Sequence, residues 1–420
     1  MSRVILDTLG CKLNQAETES LAGRFLSAGH QLAPSLEEAD IYVLNTCTVT
    51  HIADRKARHS LRLAHRRNPK AFIIAIGCYA QRSPGEIKKL GVANLVLGNE
   101  SKEHLVEVVE AELGEKGKRE DYFKVPPSTR TRTLVKIQDG CDDFCSFCIV
   151  PYVRGREQSQ LPGQVLREVK SRVAAGYKEV VLTGTKVGSY KQDGGLPGLI
   201  ERILRETGVE RLRLSSLQPR ELPPGLLGLW KDPRLCRHLH IPLQSGSDTV
   251  LQRMRRRYSL SDYERAVSLV RAIIPEVAIT TDIIVGFPGE SEEDFEESYR
   301  FCEQMGFANI HVFPYSPRSG TLAARMPQIK EGVKKERVER MLELAQGSAQ
   351  RFRARFLGRT MPVLWERKTK EGLWSGLTDN YLRVFTTSNE PLTNCLVPTR
   401  LMAEYERGLF GEIVEEERNG

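Results

Sequence analysis

No stretch of this 420-residue chain approaches the roughly 20 consecutive apolar residues of a membrane-spanning helix, so no membrane partner is expected. The opening residues Met1-Ser2-Arg3-Val4-Ile5-Leu6 are too short an apolar segment, and too quickly polar, for a secretory leader. A disulfide framework is missing as well, because nine cysteines are an odd number spread over a long chain. Such usage fits a reducing cytoplasm in which cysteine serves metal or redox chemistry. Compositional bias is also absent: 40% hydrophobic and 28% charged residues are ordinary for a globular protein, and the length leaves room for two or three domains. The departure is in charge. A net +8 and a pI near 9.0 point to a polyanionic partner.

What the chain does have is a concentrated cysteine loop, Gly140-Cys141-Asp142-Asp143-Phe144-Cys145-Ser146-Phe147-Cys148, directly after the apolar run Leu134-Val135-Lys136-Ile137. Cys141, Cys145 and Cys148 follow C-x3-C-x2-C spacing, so three thiolates can face one metal centre, as cysteine-ligated iron–sulfur clusters require. Three ligands rather than four would leave one iron open, and open coordination sites are where catalysis happens. A structural zinc site in a non-catalytic nucleic-acid-binding protein is the alternative.

Residues 1–112 alternate short apolar strands with helical stretches, the pattern of a parallel, doubly wound sheet. The strands are Arg3–Gly10, Asp40–Thr46 and Ala71–Gly77, with a helix over Asn14–Ala28. A cysteine follows each strand: Cys11, Cys47 and Cys78. In such sheets the C-terminal strand ends line the ligand crevice, so three cysteines distant in sequence are expected to converge on a metal. Between Cys47 and the third strand, Arg55, Arg58, Arg62 and Arg66 fall at helical steps and form one basic stripe. It is either a solvated face or a phosphate contact near the active site.

Residues 113–132 turn polar and read as a linker. From 133 to 356 strands and helices alternate again. The expected strands are Leu134–Gln138, Glu179–Thr183, Arg211–Ser215, His238–Pro242, Thr280–Val285 and Asn309–Pro314. Helices fit the gaps, with capping-box starts at Ser261 and, nearly, at Ser291. Six such units predict a parallel α/β barrel, complete or partial, whose chemistry sits at the C-terminal strand ends. Those ends carry the cysteine loop, then Gly184 and Thr185, Ser215-Ser216, Gln244 and Ser245, Gly286, and Tyr315-Ser316. Glycines allow close backbone approach, and hydroxyl and amide groups can hydrogen-bond a ligand. The same residue types also favour ordinary turns. A basic helical stretch over Lys330–Arg355 leads to a small all-β module at 357–420, where Trp365, Trp374, Tyr381, Phe385, Tyr405 and Phe410 gather. These aromatics either stack bases or fill a small core. Lysine and arginine do not outnumber the acids there.

The motifs resemble a known family. Cys141-x3-Cys145-x2-Cys148 resembles the signature of radical S-adenosylmethionine enzymes, and Ile149-Val150-Pro151-Tyr152-Val153-Arg154-Gly155 is similar to their methylthiotransferase branch. The segments around Cys11, Cys47 and Cys78 are similar to that branch's auxiliary-cluster domain, and the last module resembles a TRAM domain. Gly10-Cys11-Lys12-Leu13-Asn14-Gln15, Gly77-Cys78-Tyr79-Ala80-Gln81 and Ile137-Gln138-Asp139-Gly140-Cys141 look like the MtaB type, which acts on N6-threonylcarbamoyladenosine beside the tRNA anticodon. A related type acts on N6-isopentenyladenosine. One departure is Gln158-Ser159-Gln160, where the family usually ends Ser-Arg.

The resemblance implies two 4Fe–4S clusters, one on Cys141, Cys145 and Cys148 and a second on Cys11, Cys47 and Cys78. S-adenosylmethionine would chelate the open iron of the first and yield a 5′-deoxyadenosyl radical. The second would carry the sulfur, which is methylated and transferred to C2 of adenine. By position on the rim, Gly184, Thr185, Gln244, Ser245 and Gly286 are expected to line the S-adenosylmethionine pocket. Implied partners are tRNA, an electron donor of the flavodoxin or ferredoxin class, and a sulfur source.

Overall fold

The computed structural model describes residues 1–114 and 131–414. Residues 115–130, most of the expected linker, lie outside that range.

Five parallel strands open the chain: β1 Arg3–Thr8, β2 Gln31–Leu32, β3 Ile41–Thr46, β4 Phe72–Gly77 and β5 Leu95–Val96. Their order is β2-β1-β3-β4-β5, a doubly wound sheet. β3 is buried along its whole length because both of its faces are covered. Val43, Ile74 and Ile76 meet Leu21 and Phe25 of α1 (Lys12–Ser27) on one side. Tyr42, Leu44, Ile73 and Ala75 meet Ala57, Leu61 and Ala64 of α2 (His51–Arg67) on the other. Helices α3 (Cys78–Arg82), α4 (Pro84–Lys88) and α5 (Leu105–Leu113) complete this unit. At two residues each, β2 and β5 are too short to give a readable alternation, and the sequence pattern passes over them.

The second unit begins at β6 (Arg132–Lys136). A short hairpin, β7 (Gln138–Asp139) with β8 (Gln158–Ser159), brackets the cysteine loop and α6 (Val150–Arg154). Then come β9 (Glu179–Thr183), β10 (Arg211–Leu214), β11 (His238–His240), β12 (Ala278–Val285) and β13 (Asn309–Pro314). They pair in parallel as β10-β9-β6 and β11-β12-β13, and single bridges such as Ser216–His240 join the halves. β6 and β13 are not neighbours, so the array is an open barrel. Outside it lie α7 (Pro162–Ala174), α8 (Gly195–Glu206), the short α9 (Pro224–Leu227) and α10 (Asp248–Arg253), α11 (Leu260–Ile273), α12 (Glu292–Met305) and α13 (Glu331–Ala354). Ser291 caps α12 in a full capping box with Asp294. The box expected at Ser261 belongs instead to Ser259, whose partner is Asp262, so α11 starts earlier than the sequence suggested.

Period-2 alternation sorts the barrel side chains. Val180, Leu182, Leu212, Leu214, Ile279 and Ile283 face the helices in one continuous core. The opposite positions on these strands are largely polar: Glu179, Arg211, Arg213, His238, His240 and Asp282. The open side is covered from within the same chain, because Ala16 of α1 packs on Leu134 of β6 and Val181 of β9. The first unit therefore lies across the mouth of the barrel.

The third unit is a closed five-stranded barrel of β14 (Thr360–Lys368), β15 (Trp374–Thr378), β16 (Arg383–Thr386), β17 (Leu396–Tyr405) and β18 (Gly408–Ile413). Trp365 and Trp374 are buried in its core, so packing rather than base stacking explains them. Phe385, Tyr405 and Phe410 stay partly exposed in a group with ring centroids 5.1 and 6.4 Å apart. The turn from β15 to β16 docks on the starts of β10 and β11. Arg211 donates to the Leu377 carbonyl at 3.1 Å, Arg213 to that of Asp379 at 2.9 Å, and Tyr381 stacks on His238 at 4.5 Å.

Candidate active site

Cys11, Cys47 and Cys78 sit just past the ends of the adjacent strands β1, β3 and β4. Cys11 precedes α1 as its N-cap, and Cys78 opens α3. Their crowding is tight. A Cβ on Gly10, at φ +100°, would lie 2.7 Å from the Cys47 sulfur, so only glycine fits there. Burial, reinforced by Cys11 and Cys78, pushes the Cys47 thiol up to about 12. Asn45 and Asn14 fix the surrounding loops: Asn45 donates to the Asn14 carbonyl at 3.0 Å, and Asn14 to the Leu9 carbonyl at 2.8 Å.

The second triad lies on the loop from β7 to α6. The Cys141 amide donates to the Gly155 carbonyl at 3.1 Å, and the Ser146 amide to that of Met254 at 3.0 Å. Burial raises Cys141 to about 11 against a hydrogen bond from the Asp143 amide, and raises Cys148 to about 12, with Cys145 and Cys141 adding. Arg256 donates to the Cys145 sulfur at 3.2 Å. Lys186, held between Asp143, Glu157 and Glu221, places a further cation beside the loop.

These donor sets suit iron–sulfur clusters. All six cysteines are free thiols, and burial raises Cys47 in the first triad and Cys141 and Cys148 in the second, so central positive charge is needed to hold thiolates there. Hydrogen bonds to sulfur, from Arg256 and from Asn99 to Cys78 at 3.6 Å, are the kind that tune such clusters.

The two triads are neighbours. Cys78 packs with Ile149 and Val153, which follow Cys148. Asn99, while facing Cys78, also donates to the Val153 carbonyl at 2.6 Å. Arg154, with only 3% of its side chain exposed, pairs with Glu17 of α1 at 3.0 Å and Asp139 of β7 at 2.9 Å, and donates to the Asn14 amide oxygen. Glu17 also holds Lys102 and Lys136. Beside Cys47, Asp54 accepts from Thr48 at 2.6 Å and pairs with Arg82 at 2.9 Å and with Arg318, beyond β13, at 2.8 Å.

A cavity of about 210 Å³ opens between the units. Val49 and Thr50, just after Cys47, form one wall; Phe147, Cys148 and Ile149 form another; Gln244, Asp282, Ile284 and Phe313 close the third. The expected S-adenosylmethionine residues fall differently around it. Gln244, at φ +70°, lines the cavity. Ser245 does not, because its hydroxyl is buried against that of Ser298 at 3.2 Å. Gly286 faces α13, where a Cβ would strike the Lys334 side chain. Gly184 packs on Gln138, and Thr185 donates to Asp139 at 3.3 Å, beside the cysteine loop. On the basic stripe of α2, Arg55, Arg62 and Arg66 are exposed, whereas Arg58 donates to the Tyr79 hydroxyl at 2.8 Å.

Sequence reasoning named Arg154 and Asp139 only as parts of motifs and passed over Glu17, Lys102, Asn99 and Arg256. The one available signal was the apolar-flanked Arg154 beside the cysteine loop.

The model of the radical SAM superfamily matches residues 135–302, and that of an uncharacterized protein family, UPF0004, matches residues 3–98. Among solved structures, the radical S-adenosylmethionine methyltransferase TsrM from Kitasatospora setae, with cobalamin and a [4Fe-4S] cluster bound, superposes with a TM-score of 0.56. It is 16% identical and aligns over 76% of this chain and 77% of its own, a likeness of fold. Fold and cysteine loop thus define a radical S-adenosylmethionine enzyme, a class that works with a 4Fe–4S cluster and S-adenosylmethionine. The threonylcarbamoyladenosine tRNA methylthiotransferase MtaB of Bacillus subtilis is 38% identical over 99% of this chain and 98% of its own, and MtaB of Thermotoga maritima is 39% identical over 91% of each. A tRNA-2-methylthio-N(6)-dimethylallyladenosine synthase of Syntrophotalea carbinolica is 34% identical over 99% of this chain and its full length. The chain belongs to the MtaB family of tRNA methylthiotransferases.

Proposed function

We propose that the protein methylthiolates C2 of N6-threonylcarbamoyladenosine at position 37 of tRNA, using two 4Fe–4S clusters and S-adenosylmethionine. The observation that carries this reading is the pair of neighbouring cysteine triads, joined through Arg154 and the packing of Cys78, with Cys148 opening on the cavity between the units. Cys141, Cys145 and Cys148 hold one cluster, and Cys11, Cys47 and Cys78 the other. When bound, these groups supply the radical that activates an aromatic C–H bond and the sulfur that replaces its hydrogen. The chain's own residues bind, orient and exclude water. Arg256 and Asn99 donate to cluster thiolates. Phe147, Ile149, Ile284 and Phe313 give the cavity apolar walls. Gln244 is the side chain best placed to hydrogen-bond S-adenosylmethionine, with Gly184 and Thr185 as supporting backbone beside the first triad.

The units 1–112, 133–356 and 357–420 act as the auxiliary-cluster, radical and TRAM domains. The exposed arginines of α2 and the Phe385–Tyr405–Phe410 group are the surfaces that meet tRNA phosphates and bases. A flavodoxin or ferredoxin donates electrons, a separate sulfur source reloads the enzyme, and the work is cytoplasmic. Among the described residues no helix is long and apolar enough to cross a membrane.

The test is nucleoside mass spectrometry of tRNA from a strain lacking the protein. Loss of 2-methylthio-N6-threonylcarbamoyladenosine, with its unthiolated precursor accumulating, is expected. Persistence of that nucleoside, or loss of the methylthiolated isopentenyladenosine instead, overturns the assignment.

A further inference from the structure

Beneath the cavity the polar inner face of the barrel continues from Asp282 to His240, His311 and His238, and ends at Tyr381. Lys12, the residue after Cys11, reaches this space from the first unit, with its ammonium 5.8 Å from the centre of the Tyr381 ring. Two more cations converge on that ring. Arg132 donates to the Tyr381 hydroxyl at 3.1 Å, and the Arg213 guanidinium stands 4.6 Å over the ring. Although burial alone would raise it, the Tyr381 hydroxyl has a lowered pKa because Lys12, Arg132 and Arg213 surround it. The space is electropositive.

Most of these charges are already matched. Arg132 pairs with Glu366 at 2.8 Å, and Arg213 pairs with Glu179 at 2.7 Å. Asp282 lies 3.2 Å from the His240 ring. Lys102, Lys136 and Lys186, nearby on the boundary between the units, each hold a carboxylate. Among the described residues no carboxylate pairs with Lys12, although it is half-buried. The group His240, Asp282 and His311 has the donors of a divalent-cation site, with ligand atoms within 4.8 Å of one another. The charge of Lys12 acts on His311 and works against a cation there. An unmatched ammonium held in an electropositive recess calls for an anion.

We propose that Lys12 receives the carboxylate of the threonylcarbamoyl group, with the Tyr381 hydroxyl and His311 lining its recess, and so selects the substrate by charge. This rests on the function proposed above. The chemistry fits the location: on adenine only N1 separates C2 from the carbon bearing N6, so a group on N6 lies beside the reacting carbon. Lys12 lies beside Cys11 in the same way, so the recess adjoins the triad from which sulfur is delivered. An uncharged isopentenyl group would leave the ammonium unmatched.

The experiment measures equilibrium binding of anticodon stem-loop RNAs to the full-length, iron-loaded protein by fluorescence anisotropy, without turnover. The loops carry at position 37 threonylcarbamoyladenosine, its methyl ester, isopentenyladenosine or adenosine. The wild-type protein is expected to prefer the acid over the ester by about tenfold or more, the size of one hydrogen bond to a charged group. Lys12→Gln removes that preference while leaving the affinity for the ester loop and the iron content unchanged. Lys12→Arg, which keeps the charge, retains most of it. If Lys12→Gln preserves the acid preference, or weakens all four loops alike as a phosphate contact would, the recess is not the carboxylate site. If the wild-type protein ignores the acid and favours the isopentenyl loop, the substrate reading itself fails.

Discussion

Removing Arg154 separates the two halves of the site without touching a cysteine. Its guanidinium is buried and makes ion pairs at 3.0 Å to Glu17 and 2.9 Å to Asp139, besides its hydrogen bond to Asn14. Losing one partner of a buried pair costs about 3–5 kcal/mol when the remaining charge is left bare. Here the acids are not left bare, because Lys102 and Lys136 stay on Glu17, and Lys136 stays on Asp139 at 2.7 Å. The loss in Arg154→Ala should therefore fall toward the value of hydrogen bonds to charged groups, about 3 kcal/mol. Arg154→Lys should recover only part of this, since an ammonium cannot span three acceptors as a planar fork does. Urea unfolding followed by circular dichroism measures the change. A double-mutant cycle with Asp139→Asn should give a coupling of about 1 kcal/mol or more. An Arg154→Ala protein within about 0.5 kcal/mol of wild type, the range of an ordinary surface substitution, would refute the claim that this residue ties the units together.

Two further outcomes follow from the same structure. Purified anaerobically, the protein should hold about eight iron atoms per chain, and either Cys47→Ala or Cys141→Ala should leave about four. Cys236→Ala, Cys302→Ala and Cys395→Ala should leave iron unchanged, and zinc without acid-labile sulfide would exclude the cluster assignment. The second outcome concerns acid stability. Although burial alone would raise it, Arg213 and Arg211 hold Glu179 down at about 2. A depressed carboxylate contributes stability that is present above its unfolded pKa and is lost as pH falls through the folded one, so the loss runs from about 4.5 down to about 2. Glu179→Gln should flatten the pH dependence of the unfolding midpoint across that window, and an unchanged slope would show that the pair is not coupled to folding.

The cysteine loop and the longer parallel strands were readable because both rest on local signals. A C-x3-C-x2-C loop shows its chemistry in eight residues, and the fully apolar β3 and β4 betray a sheet covered on both faces. The start of α11 was misjudged by two residues, since Ser259 and Ser261 both precede a plausible acid and only the backbone decides between them. The two tryptophans of the last module look alike whether they stack bases or fill a core, and burial settled that question. What stayed hidden was long-range. Arg154 and Glu17 lie 137 residues apart, and nothing in either neighbourhood indicates the other. The surroundings of the rim glycine Gly286 stayed hidden for a related reason. Gly286 answers to Lys334 on α13, a close approach that no local motif announces.

The docking of the β15–β16 turn on the strand starts gives the last module a duty apart from any contact with RNA. Tyr381 and the carbonyls of Leu377 and Asp379 stopper the barrel from below and give further acceptors to Arg211 and Arg213, which share Glu179, and to Arg132, which pairs with Glu366. A chain cut after α13 would thus be an unstoppered vessel. Water would enter at the base and screen the field around Lys12, so the truncated chain would lose the exclusion of solvent that the docked turn provides.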